Sequence, residues 1–259
     1  SQDGDVTTFL LVGYYMTHGQ NPYNMTFNNY GGPSIPVFNL RGRAPGEGIY
    51  TLSYPPLWGI FCSISYLLSS QLLPDNLFAY IISIKLWIIA SDLLVGFLLK
   101  EIVAEIKGEE PGRRVLTYYL LCPFTILMCV WGQIDAVATL LILLATLLFV
   151  RGRHLLSAAC LGAGFALKYY PVLFAPFFLL SLKEKAEQAR YLASILGSSL
   201  LFTLVPFTIL PSDALASFFD CVIFKMGDTG TLLTPFYIAE TAVQVTGKDS
   251  WIRTWFWLK

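Results

Sequence analysis

Long apolar runs separated by short basic segments dominate the chain beyond its more polar first fifty residues. The runs cover residues 56–73, 77–99, 116–131, 134–150, 155–182 and 191–210. A helix of about 20 apolar residues crosses the hydrocarbon core of a bilayer, and most of these runs approach that length. The pattern therefore predicts an all-α protein, a polytopic transmembrane helical bundle.

Composition supports the membrane interpretation. Of the 259 residues, 55% are hydrophobic and 13% are charged, whereas an ordinary soluble domain carries about 25% charged residues. A water-soluble globule is therefore a poor match. The net charge is zero, which argues against a nucleic-acid partner, because binding to phosphates requires a basic surface.

The basic segments predict an orientation. Lys and Arg are retained in cytoplasmic loops, and three such loops are predicted at Lys100–Arg114, Arg151–Arg153 and Lys183–Arg190. The runs 116–131 and 134–150 then form one hairpin. Its turn, Trp131–Asp135 with the sequence WGQID, is expected on the outer side.

Successive membrane crossings alternate between the two sides, and this alternation places the beginning of the chain on the outer side. The run 77–99 must enter from the outer side to reach the first basic segment, so residues 1–53 form a first outer loop. The run 56–73 then cannot cross the membrane once, and we predict an interfacial or re-entrant helix there. Three aromatic residues suited to a membrane interface accompany it: Tyr54, Trp58 and Tyr66.

The run 155–182 lies between two basic segments and must leave and return to the same side. Its 28 residues are too few for two ordinary helices across about 30 Å. We therefore predict two short helices broken at Pro171. Lys168 would then lie near the apex, surrounded by protein or water rather than lipid.

These segments predict a single integral membrane domain over residues 1–259, with outer loops that bear interfacial helices. Residues 54–210 would supply the membrane helices and 211–250 a second outer loop. The segment 251–259 resembles the start of a further helix, so we expect a longer parent protein.

Two acids near the beginning, Asp3 and Asp5, are candidates for chemistry. Paired acids near a terminus are usually solvated loop charges. Here they precede a predicted helix at 6–17, and the segments GQNPY (Gly19–Tyr23) and SYPPLW (Ser53–Trp58) follow on the same outer side.

In this order of motifs the chain resembles the C superfamily of membrane glycosyltransferases (GT-C). DGDV, GQNPY and YPPL match its first outer loop, and GQID, GAGFALKYYP and GDTGTLLTPFY follow in order. The nearest likeness is to mannosyltransferases that use polyprenyl or dolichyl phosphate mannose. The resemblance implies an inverting transfer of a sugar, expected to be mannose, from the polyprenyl phosphate carrier to an outward-facing acceptor.

The resemblance implies a role for each acid. An acceptor hydroxyl must lose its proton as it attacks the anomeric carbon, and a positioned base contributes about 10²- to 10⁴-fold. In the family that the chain resembles, an apolar residue and then an aromatic one typically follow the key acid at the start of the helix. Asp5 has this pattern, with Val6 and Phe9, and is therefore the expected catalytic base. Asp3 is the reserve base or orients the acceptor.

Lys168, with its neighbour Tyr169, is the expected binding site for the donor phosphate. A lysine within an apolar segment costs about 2.5–3.5 kcal/mol to insert, so a functional role is the default hypothesis, with snorkelling to the surface as its alternative. A fixed cation stabilises the charge that grows on the leaving phosphate. Weaker candidates for this cation lie in the outer loops: Arg41, Arg43 and Lys225.

Gln133 and Asp135 lie at the predicted outer turn. They are expected to bind hydroxyls of the sugar or acceptor, or to hold Lys168 in place. A helix N-cap by Asp135 is the structural alternative. Lys85 and Asp92 are seven residues apart on one helix face, and we expect them to pair with other helices rather than to act in catalysis.

Neither a metal nor a cofactor is indicated. His18 and His154 fall on opposite sides of the predicted topology, and the resemblance is to transferases that mostly act without a metal. The expected partners are the lipid-linked sugar donor and a glycan, lipid or protein acceptor.

Two other classes of function remain open from the sequence. Lys85, Asp92 and Lys168 are also compatible with the permeation path of a lipid or small-solute transporter or flippase. A non-catalytic subunit of a membrane complex is the third possibility. We expect a multi-pass protein of the cell membrane, with the endoplasmic reticulum as the alternative, and a site on the non-cytoplasmic side.

Overall fold

The computed structural model describes residues 4–23, 25–26, 49–50, 52, 54–73, 76–131 and 133–220. These residues are almost entirely helical, and one strand of two residues, Met25–Thr26, pairs antiparallel with Ile49–Tyr50. The helices are α1 Gly4–Thr17, α2 Leu57–Leu72, α3 Leu77–Lys107, α4 Glu109–Leu120, α5 Pro123–Trp131, α6 Asp135–Val150, α7 His154–Phe165, α8 Ala175–Ser181 and α9 Lys185–Leu204. Two 3₁₀-helices occupy Tyr170–Phe174 and Val205–Thr208, and residues 214–220 are again helical. The predicted all-α class is confirmed.

Two helical stretches in the described part of the chain are long and apolar enough to cross a membrane, Phe78–Lys107 and Lys185–Thr208. Shorter apolar helices, among them α2, α6 and α7, accompany them. Large apolar side chains are exposed along both long stretches: Phe78, Leu86, Phe97, Leu196 and Leu200. Exposed apolar surface of this extent is typical of a face that contacts lipid or another protein.

α3 extends further than the apolar pattern predicts. It begins at an N-cap, where the side chain of Asn76 accepts a hydrogen bond from the Ala79 amide at 3.2 Å. It then continues past residue 99 to Lys107, because this segment is rich in Glu, Lys and Ala, which favour helix. Only Gly108, with a φ of 94°, interrupts the helix before α4. The prediction of a loop at Lys100–Arg114 is therefore wrong.

The run 116–131 is not one helix either. α4 ends at Leu120 and α5 begins at Pro123. Proline has no amide hydrogen and disfavours helical geometry in the residue before it, so the break falls at Leu121 and Cys122.

α4 folds back on α3 to form a tight hairpin. A side chain at Gly112 would meet the Lys100 carbonyl oxygen at 2.7 Å, so glycine permits this approach. The Tyr119 hydroxyl donates to the Asp92 carboxylate at 2.6 Å. The expected pairing of Asp92 with another helix is confirmed.

Ion pairs join one end of α3 to the neighbouring helices. Arg151, which follows α6, lies 2.6 Å from Glu105 and 3.7 Å from Glu101. Lys100 on α3 lies 3.6 Å from Glu109 at the start of α4. Exposed ion pairs contribute little energy. They mark the end of the bundle that contains Lys100, Glu105 and Arg151, which we call the basic end.

α9 begins at the basic end as well. Its Tyr191 is buried, lies 5.9 Å from the Phe149 ring and shares a hydrogen bond of 2.9 Å with Ser157. The three basic segments therefore lie at one end of the bundle, as the charge pattern predicts. The loop predicted at Lys183–Arg190 is shorter than expected, because α9 already starts at Lys185.

The run 155–182 is a broken pair of helices, as predicted. α7 leads away from the basic end to Phe165, and the chain turns through residues 166–169 before the 3₁₀-helix that contains Pro171. α8 returns, since the Phe178 ring lies 4.9 Å from the Phe149 ring.

Small residues on α7 allow α9 to approach closely, a packing mode common between membrane helices. A Cβ atom built on Gly162 would overlap the Ser198 hydroxyl and would lie 2.6 Å from the Ile195 carbonyl oxygen. The adjoining core joins side chains of α6, α7, α8 and α9: Ile142, Ala145, Ala158, Leu161, Ala175, Leu182, Tyr191 and Ile195.

We predict that Gly162→Ala destabilises the protein by about 1–3 kcal/mol, because the added methyl group forces α7 and α9 apart. Gly197→Ala is the matched control, since a Cβ atom there meets nothing within 4 Å. Thermal unfolding in detergent measures the difference. Equal melting temperatures for the two variants would contradict this packing.

Candidate functional site

Lys168 lies at the end of the bundle opposite the basic end, in the turn that follows α7. Its ammonium nitrogen Nζ is 2.6 Å from Oδ1 of Asp135, the first residue of α6. The lysine side chain is 22% exposed and the aspartate side chain 49% exposed. The cation is therefore mostly enclosed, while its partner carboxylate remains half open to the surroundings.

The Lys168 backbone is held by the turn itself. Its amide donates to the Gly164 carbonyl at 2.9 Å, which continues the last turn of α7. α6 and α7 pack side by side, so the start of one helix lies beside the end of the other. This arrangement brings together two residues that are 33 positions apart.

Two tyrosine rings flank the ammonium group. Lys168 Nζ lies 5.6 Å from the ring centroid of Tyr54 and 5.9 Å from that of Tyr170. Aromatic faces attract cations at such distances. The Tyr170 hydroxyl also donates to the Asp135 backbone carbonyl at 3.2 Å and forms a 3.1 Å hydrogen bond with Thr139.

The start of α1 lies on the same side. The Phe9 ring is 5.3 Å from the Trp58 ring and 6.5 Å from the Tyr54 ring. Further along both helices, Tyr14 of α1 contacts Tyr66 of α2 at 5.8 Å. These contacts show that α1 and α2 run in the same direction, with Phe9 of α1 next to Tyr54, whose ring lies beside Lys168.

This packing locates the predicted acids as far as the structure describes them. α1 begins at Gly4, so Asp5 belongs to the first helical turn rather than preceding the helix. Its backbone lies one turn before Phe9, at the end of α1 nearest Tyr54. Asp3 lies outside the described residues.

The GQNPY segment connects this region to the end of α9. The Tyr23 hydroxyl donates to the Tyr54 carbonyl at 3.3 Å, and the Tyr23 ring stacks on Phe207 at 6.0 Å. The Asn21 amide donates to the Asp213 carboxylate at 2.8 Å. The segment therefore links the backbone of Tyr54 to the 3₁₀-helix that follows α9.

The other predicted residues lie at or near this site. Gln133 is half-buried in the turn before α6, and the Tyr169 ring packs on Phe165 at 5.7 Å. Three weaker candidates for the phosphate-binding cation lie outside the described residues: Arg41, Arg43 and Lys225.

The two histidines pack against different helices. His18 packs on Tyr14 at the end of α1, while His154 packs on Phe149 at the basic end. Within the described ranges, no group of three or more His, Cys, Asp or Glu side chains is arranged to hold a metal ion.

Sequence reasoning missed Tyr54 and Tyr170 as neighbours of the cation. The sequence predicts Tyr54 only as an interfacial aromatic residue beside α2, although it belongs to the YPPL motif. Tyr170 follows Lys168 by two positions, and that proximity was the available signal. The contact between Tyr23 and Phe207 spans too much of the chain for a local pattern to indicate it.

The arrangement is suited to an anionic ligand. An ammonium group has three N–H donors, and Asp135 accepts one of them. Among the described residues, Asp135 is the hydrogen-bond acceptor of this ammonium group. An ammonium group beside aromatic rings is also suited to donating to phosphate oxygens.

Comparison with protein families gives one match, to the model of glycosyltransferase family 87 over residues 50–257. The match spans most of the chain and includes Tyr54, Asp135 and Lys168, but it begins after Asp5. The comparisons with curated proteins and with solved structures yielded no match. An enzyme, rather than a transporter or a non-catalytic subunit, is the class that this match supports. The chain belongs to glycosyltransferase family 87, a GT-C family of mannosyltransferases that use polyprenyl phosphate mannose.

Proposed function

We propose that the protein transfers mannose from a polyprenyl phosphate carrier to an outward-facing glycan, lipid or protein acceptor, with inversion at the anomeric carbon. The observation that supports this proposal is the mostly enclosed Lys168 ammonium group, paired with Asp135 and flanked by Tyr54, whose ring neighbours Phe9 of α1. Family membership indicates the class of donor. The enclosed position of Lys168 supports its proposed role as the cation that binds the donor phosphate.

The proposed reaction is a single displacement. The acceptor oxygen forms a bond to the anomeric carbon as the bond from that carbon to the phosphate oxygen breaks on the opposite face. The electron pair of the broken bond remains on the phosphate. The proton of the acceptor hydroxyl goes to the Asp5 carboxylate, with Asp3 as the reserve base or acceptor orienter.

Lys168 acts on the leaving group. As the glycosidic bond breaks, negative charge increases on the phosphate, and a cation already in place stabilises that charge without reorganisation. Tyr169 is proposed to assist at the phosphate. Gln133 and Asp135, at the turn before α6, are proposed to face the sugar or acceptor.

The position of the basic residues supports the proposed membrane orientation. Arg151, Lys100 and the start of α9 lie at the basic end, which the positive-inside rule assigns to the cytoplasm. α6 is about 24 Å long, so its first residue, Asp135, lies well away from that end. The proposed site therefore faces the non-cytoplasmic side, with the cell membrane as the favoured location and the endoplasmic reticulum as the alternative.

We predict that Asp5→Asn lowers the rate of mannosyl transfer by at least about 10²-fold, because the amide cannot accept the acceptor proton. Transfer from radiolabelled polyprenyl phosphate mannose measures the effect. Glu184→Gln, an exposed carboxylate at the basic end, is the control. Full activity of Asp5→Asn, together with normal activity of the control, would exclude Asp5 as the base.

We predict that Lys168→Ala lowers kcat/KM for the donor by about 10²-fold or more, since the leaving phosphate loses its cation. Lys168→Arg should recover part of the loss. Lys183→Ala makes the same change at an exposed position near the start of α9 and should leave the kinetics unchanged. Unchanged donor kinetics in Lys168→Ala would rule out the phosphate role.

We predict that Tyr54→Leu raises KM for the donor several-fold, whereas Tyr54→Phe stays near the wild-type value. The ring face, rather than the hydroxyl, faces the Lys168 ammonium. Steady-state kinetics of the two variants separate these contributions. Equal kinetics of the leucine and phenylalanine variants would show that the ring does not position the cation.

A further inference from the structure

The charge of the lipid phosphate changes during the proposed reaction. In the donor, the phosphate is a diester with one negative charge. After the sugar leaves, it is a monoester whose second ionisation has a pKa of about 6, so it carries about −1.5 to −2 at neutral pH. An isolated cation would therefore bind the product more tightly than the donor, and turnover would become limited by product release.

The ion pair of Lys168 with Asp135 adds a negative charge that opposes tighter binding of the product than of the donor. We propose that Asp135 is the counter-ion that weakens binding of the polyprenyl phosphate product to Lys168, and so promotes its release. The inference rests on the proposed function. Asp135 acts through the lysine and through its own charge, and is thus a positioning residue rather than the base.

The distance between Lys168 and Asp135 is that of a direct ion pair. The 2.6 Å separation between Lys168 Nζ and Asp135 Oδ1 is that of a charge-assisted hydrogen bond. Because the carboxylate is 49% exposed and the ammonium 22% exposed, an anion that approaches the lysine from the open side also approaches the carboxylate. Repulsion then increases with the charge of the anion, and it disfavours the product more than the donor.

The backbone fixes the carboxylate in this position. Asp135 is the first residue of α6, where the helix dipole favours an acidic side chain. Its carbonyl accepts the Tyr170 hydroxyl, which also bonds to Thr139 one turn further along α6. The backbone of Asp135 is consequently held between α6 and the 3₁₀-helix that begins at Tyr170. This position keeps its carboxylate beside Lys168.

The test is the inhibition constant, Ki, of polyprenyl phosphate in the full-length enzyme. Asp135→Asn keeps the shape and a hydrogen-bond acceptor for Lys168 but removes the charge. We expect its Ki to fall about tenfold or more, with a lower kcat and a smaller change in donor KM. Asp135→Glu restores the charge and should return Ki to near the wild-type value.

Glu184→Gln is the matched control, because it makes the same carboxylate-to-amide change at an exposed position of the basic end, away from this site; its Ki should be that of the wild type. If Asp135→Asn does not fold, Asp135→Ala provides a second neutral variant. An unchanged or higher Ki in the neutral variants would overturn the inference.

Direct binding of polyprenyl phosphate to the same proteins separates this inference from the proposed function. Failure of the wild-type enzyme to transfer mannose would count against the function. Normal transfer with equal product binding in wild type and Asp135→Asn would count against the counter-ion alone.

Discussion

The constraint on which the structure depends is the cost of one positive charge within an apolar segment. An unpaired Lys168 would be costly among apolar helices, and the neighbouring Asp135 carboxylate offsets that cost. That pairing requires the start of α6 to meet the end of α7, which in turn determines how the broken helices 154–181 are placed. The aromatic ring of Tyr54 completes the enclosure and connects the cation to α1 through Phe9.

The two ends of the bundle use charge differently. At the basic end, charged side chains are exposed and join helices as they leave the apolar layer, as Arg151 does with Glu105. At the opposite end, within the part of the chain that the structure describes, the mostly enclosed Lys168 ammonium group lies beside two aromatic rings and pairs with the half-exposed Asp135 carboxylate. Small residues such as Gly162 bring α7 and α9 together between these ends. The fold thus separates a structural region from one suited to binding an anion.

Much of this arrangement follows from the sequence, because it has local causes. Pro171 and the limited length of the run 155–182 predict a broken helix pair, and the distribution of Lys and Arg predicts which segments share an end. The break before Pro123 interrupts an apolar run that is continuous in sequence, and α3 continues to Lys107 because charged residues such as Glu and Lys favour helix as well. The contacts of Tyr54 with Lys168 and of Tyr23 with Phe207 depend on tertiary packing. The roles of Asp3, Asp5, Lys168, Tyr169, Gln133 and Asp135 in the reaction stay predictions.

We propose that Lys168 and the start of α1 border one site for a lipid-linked phosphate. An experimental structure of the protein with bound polyprenyl phosphate would locate that site. We expect the phosphate oxygens to lie within hydrogen-bonding distance of Lys168 Nζ and the Asp5 carboxylate to face the side where the sugar is attached. A phosphate bound elsewhere, with Lys168 still enclosed by Asp135 and Tyr54, would exclude this site.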